Sequence, residues 1–235
     1  WPVDKVLLEG PKRVILLGEP GAGKSFAIRE AVNVIASKLQ DACLRGEINA
    51  ALRIPIMVDL KLFNGDLTGL IRSKFPEGLS LDQLYAEFPV TLYLDGYNEM
   101  PRAFREDGDF DRQLDALVQA KPNMGLVIGS RTTDGLERLA IPVCALSEVS
   151  EGEVERRLAA IGEELPVTHR ADIVKILQRP FYFCLLDRAV VSLDQVSVPA
   201  DLYRQFISTI ETRFIEAFGN HIDLVAMLQQ QAYET

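Results

Sequence analysis

Eight consecutive residues, Gly18-Glu19-Pro20-Gly21-Ala22-Gly23-Lys24-Ser25, have the types and spacing to hold a polyphosphate. Glycines let the backbone approach phosphate oxygens and aim successive N–H groups at them. A helix N-terminus after the loop adds partial positive charge. Lys24 has the reach for β- and γ-phosphates. Ser25 offers a hydroxyl to Mg2+, a hard cation that takes oxygen ligands. The pattern GxxxxGK followed by Ser or Thr, with an apolar run before it and a helical run after, is that of a P-loop. It predicts ATP or ADP with Mg2+, contacted from Gly18 through Phe26. A chance glycine turn is the plain alternative, and the flanking elements count against it.

Three further places carry candidate chemistry. In Leu92-Tyr93-Leu94-Asp95-Gly96-Tyr97-Asn98-Glu99, an apolar run delivers Asp95 to where it would hold Mg2+ with Ser25. Glu99, four residues on, is the candidate to polarise an attacking water. Arg131, after Ser130, would sense or neutralise the γ-phosphate. Arg179-Pro180 interrupts a helical stretch. Each has a structural alternative: a turn residue for Asp95, a solvated carboxylate for Glu99, a surface ion pair for Arg131, a helix kink at Pro180. His169 and His221 have no partners at metal-ligand spacing. Cys43, Cys144 and Cys184 form no CxxC pair; each sits in an apolar run and is expected to be a buried thiol in a reducing, cytoplasmic setting.

These residues need a frame. Arg13–Leu17, Ile54–Leu60, Val90–Leu94, Gly125–Gly129 and Val143–Leu146 are short apolar runs that read as strands, Arg13–Leu17 and Val90–Leu94 as buried ones. Between them, Ile28, Val32, Ile35 and Leu39 repeat at helical steps, Leu67–Phe88 reads as helix broken at Pro76 and Gly78, and Phe110–Ala120 reads as another helix. Alternating strands and helices predict an α/β fold, a three-layer parallel sheet of the P-loop NTPase kind over residues 1–147. In such sheets ligands bind outside the carboxyl ends of the strands. The loop at 18–25, Asp95 and Ser130-Arg131 all follow strands. From 148 the pattern turns helical: Ser147 as a cap, a helix through Val154 and Leu158, another over His169–Leu177, then Phe181–Val190 and Leu202–Phe218. That predicts a small helical subdomain over 148–218, with 219–235 opening a truncated winged-helix region.

Bulk properties narrow the class. The chain has 235 residues, 48% hydrophobic and 25% charged, with a formal net charge of -9. The charge argues against general nucleic-acid binding. No apolar run approaches the roughly 20 residues that span a bilayer. A start at Trp1 and a stop soon after an apolar helical pattern read as a fragment of a longer protein.

Taken together, the motifs resemble the NACHT family of STAND signal-transduction ATPases, the nucleotide switch of NOD-like receptors and bacterial relatives. Arg13–Ser25 resembles that family's strand and GxPGxGKS loop. Leu94-Asp95-Gly96-Tyr97-Asn98-Glu99 resembles its LDGxDE motif, with Asn98 where an acid is usual. Gly129-Ser130-Arg131-Thr132 resembles its sensor strand. Leu146-Ser147-Glu148-Val149-Ser150 resembles the lead into its helical subdomain. Leu177-Gln178-Arg179-Pro180-Phe181 resembles its NPL motif, with Arg179 in place of Asn, and Leu202-Tyr203-Arg204-Gln205-Phe206 its LYxxF helix. The resemblance implies that Pro180 packs on adenine and that ADP holds the intact protein closed. ATP would then favour opening and self-oligomerisation, and slow hydrolysis would reset the switch. It further implies an unidentified trigger ligand and effector domain outside this fragment, and a role in immune, antiviral or other signalling. Neither histidine matches the one that reads the ADP β-phosphate in the family's winged helix. Two other classes compete. A metabolic P-loop kinase needs an Arg-rich acceptor lid, and a remodelling ATPase of the AAA+ class needs an arginine finger and a pore loop; neither set is evident. A degenerate scaffold that binds nucleotide only for stability is hard to square with intact Lys24, Ser25 and Asp95.

Overall fold

The computed structural model describes residues 3–47, 53–76, 78–79, 81–166, 169–182, 185 and 192–219. The chain divides into two compact units, Trp1–Ser147 and Glu148–Thr235.

The first unit is built on five parallel strands: β1 (Arg13–Leu17), β2 (Ile54–Asp59), β3 (Val90–Asp95), β4 (Gly125–Ser130) and β5 (Val143–Ala145), in the order β2-β3-β4-β1-β5. β3 and β4 are buried along nearly their whole length, as two-faced parallel strands must be. Alternation splits their side chains between two layers. Ile15, Leu92, Leu94, Leu126 and Ile128 face one layer with Phe63, Phe110 and Leu114, on the side of α3 (Leu67–Arg72), α4 (Leu81–Glu87), α5 (Arg102–Glu106) and α6 (Asp109–Ala120). Val14, Leu16, Tyr93 and Val127 face the other with α1 (Val3–Glu9) and α2 (Lys24–Arg45). The result is a three-layer α/β fold of the P-loop NTPase class. Each fully buried Leu or Ile in it contributes roughly 1.5–3 kcal/mol. α1 has no counterpart in the sequence reading.

β4 lies between β1 and β3, so the strand that leads into the phosphate loop and the strand that ends at Asp95 are not neighbours. The end of β4, Ser130, is thereby interposed between them. α2 runs 22 residues and stops at Gly46, a left-handed cap that bonds back to Ala42 and Cys43. Ala42 turns inward while Cys43, about 100° further round the helix, is exposed. The expectation of a buried Cys43 fails for that reason. Cys144 is half-buried, and Cys184 lies outside the described residues.

The second unit is helical. α7 (Glu151–Ala160), α8 (Arg170–Leu177) and α9 (Pro199–Phe218) supply its core of Val154, Leu158, Ile173, Ile176, Leu177 and Leu202. α7 is capped by Ser150, whose hydroxyl accepts from the Glu153 N–H at 3.3 Å, and not by Ser147. A capping Ser must stand immediately before the first turn, and α7 begins three residues later than the sequence suggests. His169 caps α8 in a left-handed conformation, with Asp172 3.7 Å from its Nδ1. The expected winged-helix start, apart from Gly219, and His221 lie outside the described residues. No described helix is long and apolar enough to cross a membrane.

Candidate nucleotide and magnesium site

The loop leaves β1 at Leu17 and is pinned at once, because the Gly18 N–H donates to the Ser130 carbonyl at 3.2 Å. Ala22 N–H closes a turn on the Glu19 carbonyl at 3.1 Å. Gly23 then stands at the N-cap of α2 with φ 91°, a conformation that favours glycine, and supplies no side-chain cap. The first N–H groups of α2 consequently receive nothing from a capping side chain. Lys24 folds back, and its Nζ donates to the Gly18 carbonyl and to the Glu19 carbonyl, the latter at 3.2 Å. Burial lowers the Lys24 pKa from its usual 10.5, with Arg131 adding to the effect and Asp95, Glu99 and Glu19 opposing it. Ser25 and Phe26 follow, exposed; the Phe26 side chain is 64% exposed. Glu19 and Pro20 are exposed, while Gly18, Gly21 and Ala22 are half-buried.

Asp95 ends β3 on the face shared with α2. Its carboxylate accepts a hydrogen bond from Ser25. Burial raises the Asp95 pKa above 3.8, the Ser25 bond works the other way, and the nearby Glu99 and Asp59 carboxylates raise it further. Room for this carboxylate comes from Gly129 on the adjoining strand. A Cβ there would stand 2.9 Å from Asp95 Oδ1 and 3.0 Å from Ile28 Cδ1. Asp59 ends β2 directly in register with Asp95 and is paired with Lys61 Nζ at 2.8 Å. The sequence reading missed it, although both strands end in an aspartate. Among the described residues no group of three or more His, Cys, Asp or Glu could hold a metal unaided. Two oxygen donors side by side, Ser25 and Asp95, fit the sparse protein ligation typical of phosphate-bound Mg2+.

Glu99 closes a 3-10 turn, Tyr97–Glu99, immediately after β3. Its Oε1 lies 3.6 Å from Arg131 Nη2, both side chains being about half exposed. A pair so open to water contributes little to stability. Tyr97 is buried, and its hydroxyl reaches Asp111 Oδ1 at 3.3 Å, while Arg138 Nη2 holds Asp111 Oδ2 at 3.1 Å. Asn98, which the sequence reading treated only as a departure from an acid, accepts at Oδ1 from the Arg131 N–H and from Ser130 Oγ, the latter at 2.9 Å. Its residue type gave no warning of that role; only the position of β4 beside β3 does.

The first unit thus brings together Lys24, Ser25, Asp95, Glu99 and Arg131 at one edge of the sheet. Pro180 belongs to the second unit, half-buried in the helical turn after α8. Beside it, the Phe181 ring packs on Tyr182 and Tyr203 at centroid distances of 5.5 and 5.8 Å.

No family model matches the chain. No curated protein matches it either. Among solved structures the chain is similar to AMPPCP-bound DnaA from Aquifex aeolicus, with 14% identity and a TM-score of 0.47 over 92% of this chain and 68% of that one. It is similar to a RuvB mutant from Thermotoga maritima at 14% identity and TM-score 0.46, covering 98% of this chain and 78% of that one. PCH-2 of C. elegans gives 14% identity and TM-score 0.44 over 90% of this chain, which spans 66% of that protein's chain. Likenesses at this level are too distant to carry an argument about what this chain does.

Proposed function

We propose that this chain is the nucleotide-binding ATPase module of a STAND switch of the NACHT kind. It would take ATP or ADP with Mg2+ at the carboxyl edge of its sheet and hydrolyse ATP slowly. The observation that carries the reading is the convergence of Lys24, the Ser25–Asp95 pair and the Glu99–Arg131 pair on one edge beside an uncapped helix N-terminus. Each of these side chains meets another of the set or the loop backbone. A nucleoside triphosphate would replace those partners: Lys24 Nζ would leave two carbonyls for β- and γ-oxygens, and the α2 N–H groups would receive phosphate. Ser25 and Asp95 would hold Mg2+, which neutralises charge on the β- and γ-oxygens. Glu99, released from Arg131, would orient water, while the guanidinium offsets charge on the terminal phosphate.

The finer reading, a regulated switch that self-assembles and serves immune signalling, rests on the resemblance of the motifs around Asp95, Arg131 and Pro180. Calorimetric titration with Mg-ATP and Mg-ADP tests the coarser one. The chain is expected to bind both, and Lys24→Ala to lose roughly 10- to 100-fold, the worth of charge-assisted hydrogen bonds. Unchanged affinity in that variant would sink it. Steady turnover that rises with protein concentration would move the reading from a switch to a remodelling ATPase of the AAA+ class.

A further inference from the structure

We infer that Asn98 is a positioning residue that holds the Glu99 carboxylate against the end of β4, an inference that rests on the ATPase reading above. The turn Tyr97–Glu99 is short, and nothing in its own three residues sets where Glu99 points. Its fixing points are external. On one side the buried Tyr97 ring packs on Phe110 at 5.7 Å and its hydroxyl meets Asp111. On the other, the Asn98 carbonyl accepts from Arg105 Nη1 at 3.3 Å. The third point is the Asn98 side chain, which ties the turn to the backbone of the strand end that bears Arg131, beside the open Glu99–Arg131 ion pair.

The direction of that tie is settled by chemistry. A backbone N–H only donates, so the Asn98 atom facing Arg131 N is the amide oxygen. Ser130 is fully buried and owns one hydroxyl proton. That proton serves either Asn98 Oδ1 at 2.9 Å or the Thr132 carbonyl at 2.6 Å, and the second is a turn within β4's own exit. The Arg131 N–H bond is therefore the constant one. Glu99 follows Asn98 directly, and the Asn98 oxygen accepts from the Arg131 backbone N–H. One amide group thus ties the turn that bears the water-orienting carboxylate to the backbone that bears the phosphate-facing guanidinium. An aspartate would accept the same two bonds.

The test compares Asn98→Leu, which keeps bulk and removes the acceptor, with Asn98→Asp, which keeps it. Mg-ATP affinity is read by calorimetry and hydrolysis by single turnover, on the whole chain. Asn98→Leu is expected to bind within threefold of the parent and to hydrolyse roughly 10- to 100-fold more slowly, the scale of a small misplacement of a catalytic group. Asn98→Asp is expected to recover to within about threefold of the parent rate, since only the acceptor matters. Asn98→Leu combined with Glu99→Gln is expected to be no slower than Glu99→Gln alone, because both act through one carboxylate. A parent-like rate in Asn98→Leu overturns the inference and leaves the ATPase reading standing. So does an Asn98→Asp as slow as the leucine variant, or a further loss in the double variant. A parent that binds Mg-ATP without turning it over overturns the inference and the hydrolytic part of the reading it rests on, and a parent that does not bind it overturns that reading whole.

Discussion

Lys24 donates to two carbonyl oxygens of its own loop. Its lowered pKa sets a testable sign. Phosphate binds the ammonium form; affinity is flat while the free chain keeps the proton and falls once pH rises past the lowered value. The fall in Mg-ATP affinity is therefore expected to begin below the usual 10.5 in titrations from pH 8 upward, with a slope of up to roughly tenfold per pH unit. Lys24→Arg, always charged, is expected to be flat over the same range. Glu99 makes the opposite kind of contact, an open ion pair with Arg131. Glu99→Gln is expected to keep ATP binding within a few-fold and to slow single-turnover hydrolysis roughly 100-fold, the scale of a general base. Equal rates in variant and parent would remove Glu99 from the chemistry. The sequence marks Lys24 and Ser25 as candidates by the GxxxxGKS pattern, and Asp95, Glu99 and Arg131 by their places soon after apolar runs. Asn98 and Asp59 are not so marked, since their positions depend on which strands adjoin, and adjacency leaves no mark on residue type.

Strands β1 to β5 are legible almost to the residue, because each is a short apolar run; β3 and β4 are buried on both faces, whereas β5 at the sheet edge is largely exposed. Their order is another matter: nothing in Gly125–Ser130 says that it inserts between β1 and β3. The two glycines of β4 hold the missing clue. Cβ atoms at 125 and 129 would collide with Thr91 Oγ1 and Asp95 Oδ1, polar atoms of β3 on the face toward α2. Gly129→Ala is expected to destabilise the fold by roughly 1–3 kcal/mol, the cost of overpacking, in a urea titration. Because the displaced atom is the Asp95 carboxylate, the variant is also expected to lose affinity for Mg-ATP more than for ATP with EDTA. An equal loss in both would mean that Asp95 does not serve the metal. Helix boundaries are less legible, as the shift of the α7 cap from Ser147 to Ser150 illustrates. Several polar residues stood near that start, and only the turn's own N–H groups choose among them.

Across the whole chain, composition and periodicity separate a sheet-bearing half from a helical half, and the chain does form two units. Family membership is a different order of claim. It rests on short motifs, and no family model matches. The helical half carries the decisive residue for it, Pro180. The resemblance implies that Pro180→Ala weakens ADP and ATP equally, by about 1 kcal/mol for one modest apolar contact. Calorimetry that finds both affinities unchanged would detach the helical half from the NACHT resemblance while leaving the phosphate-loop half untouched. The left-handed Gly23 cap has one more consequence. α2 runs 22 residues through the first unit from a terminus that no side chain completes. An anion seated there finishes the helix, and whatever completes only the folded form holds it against heat. At a hundredfold excess over Kd that linkage is worth about 2.7 kcal/mol, so the melting temperature of this unit becomes a thermometer for the nucleotide around it.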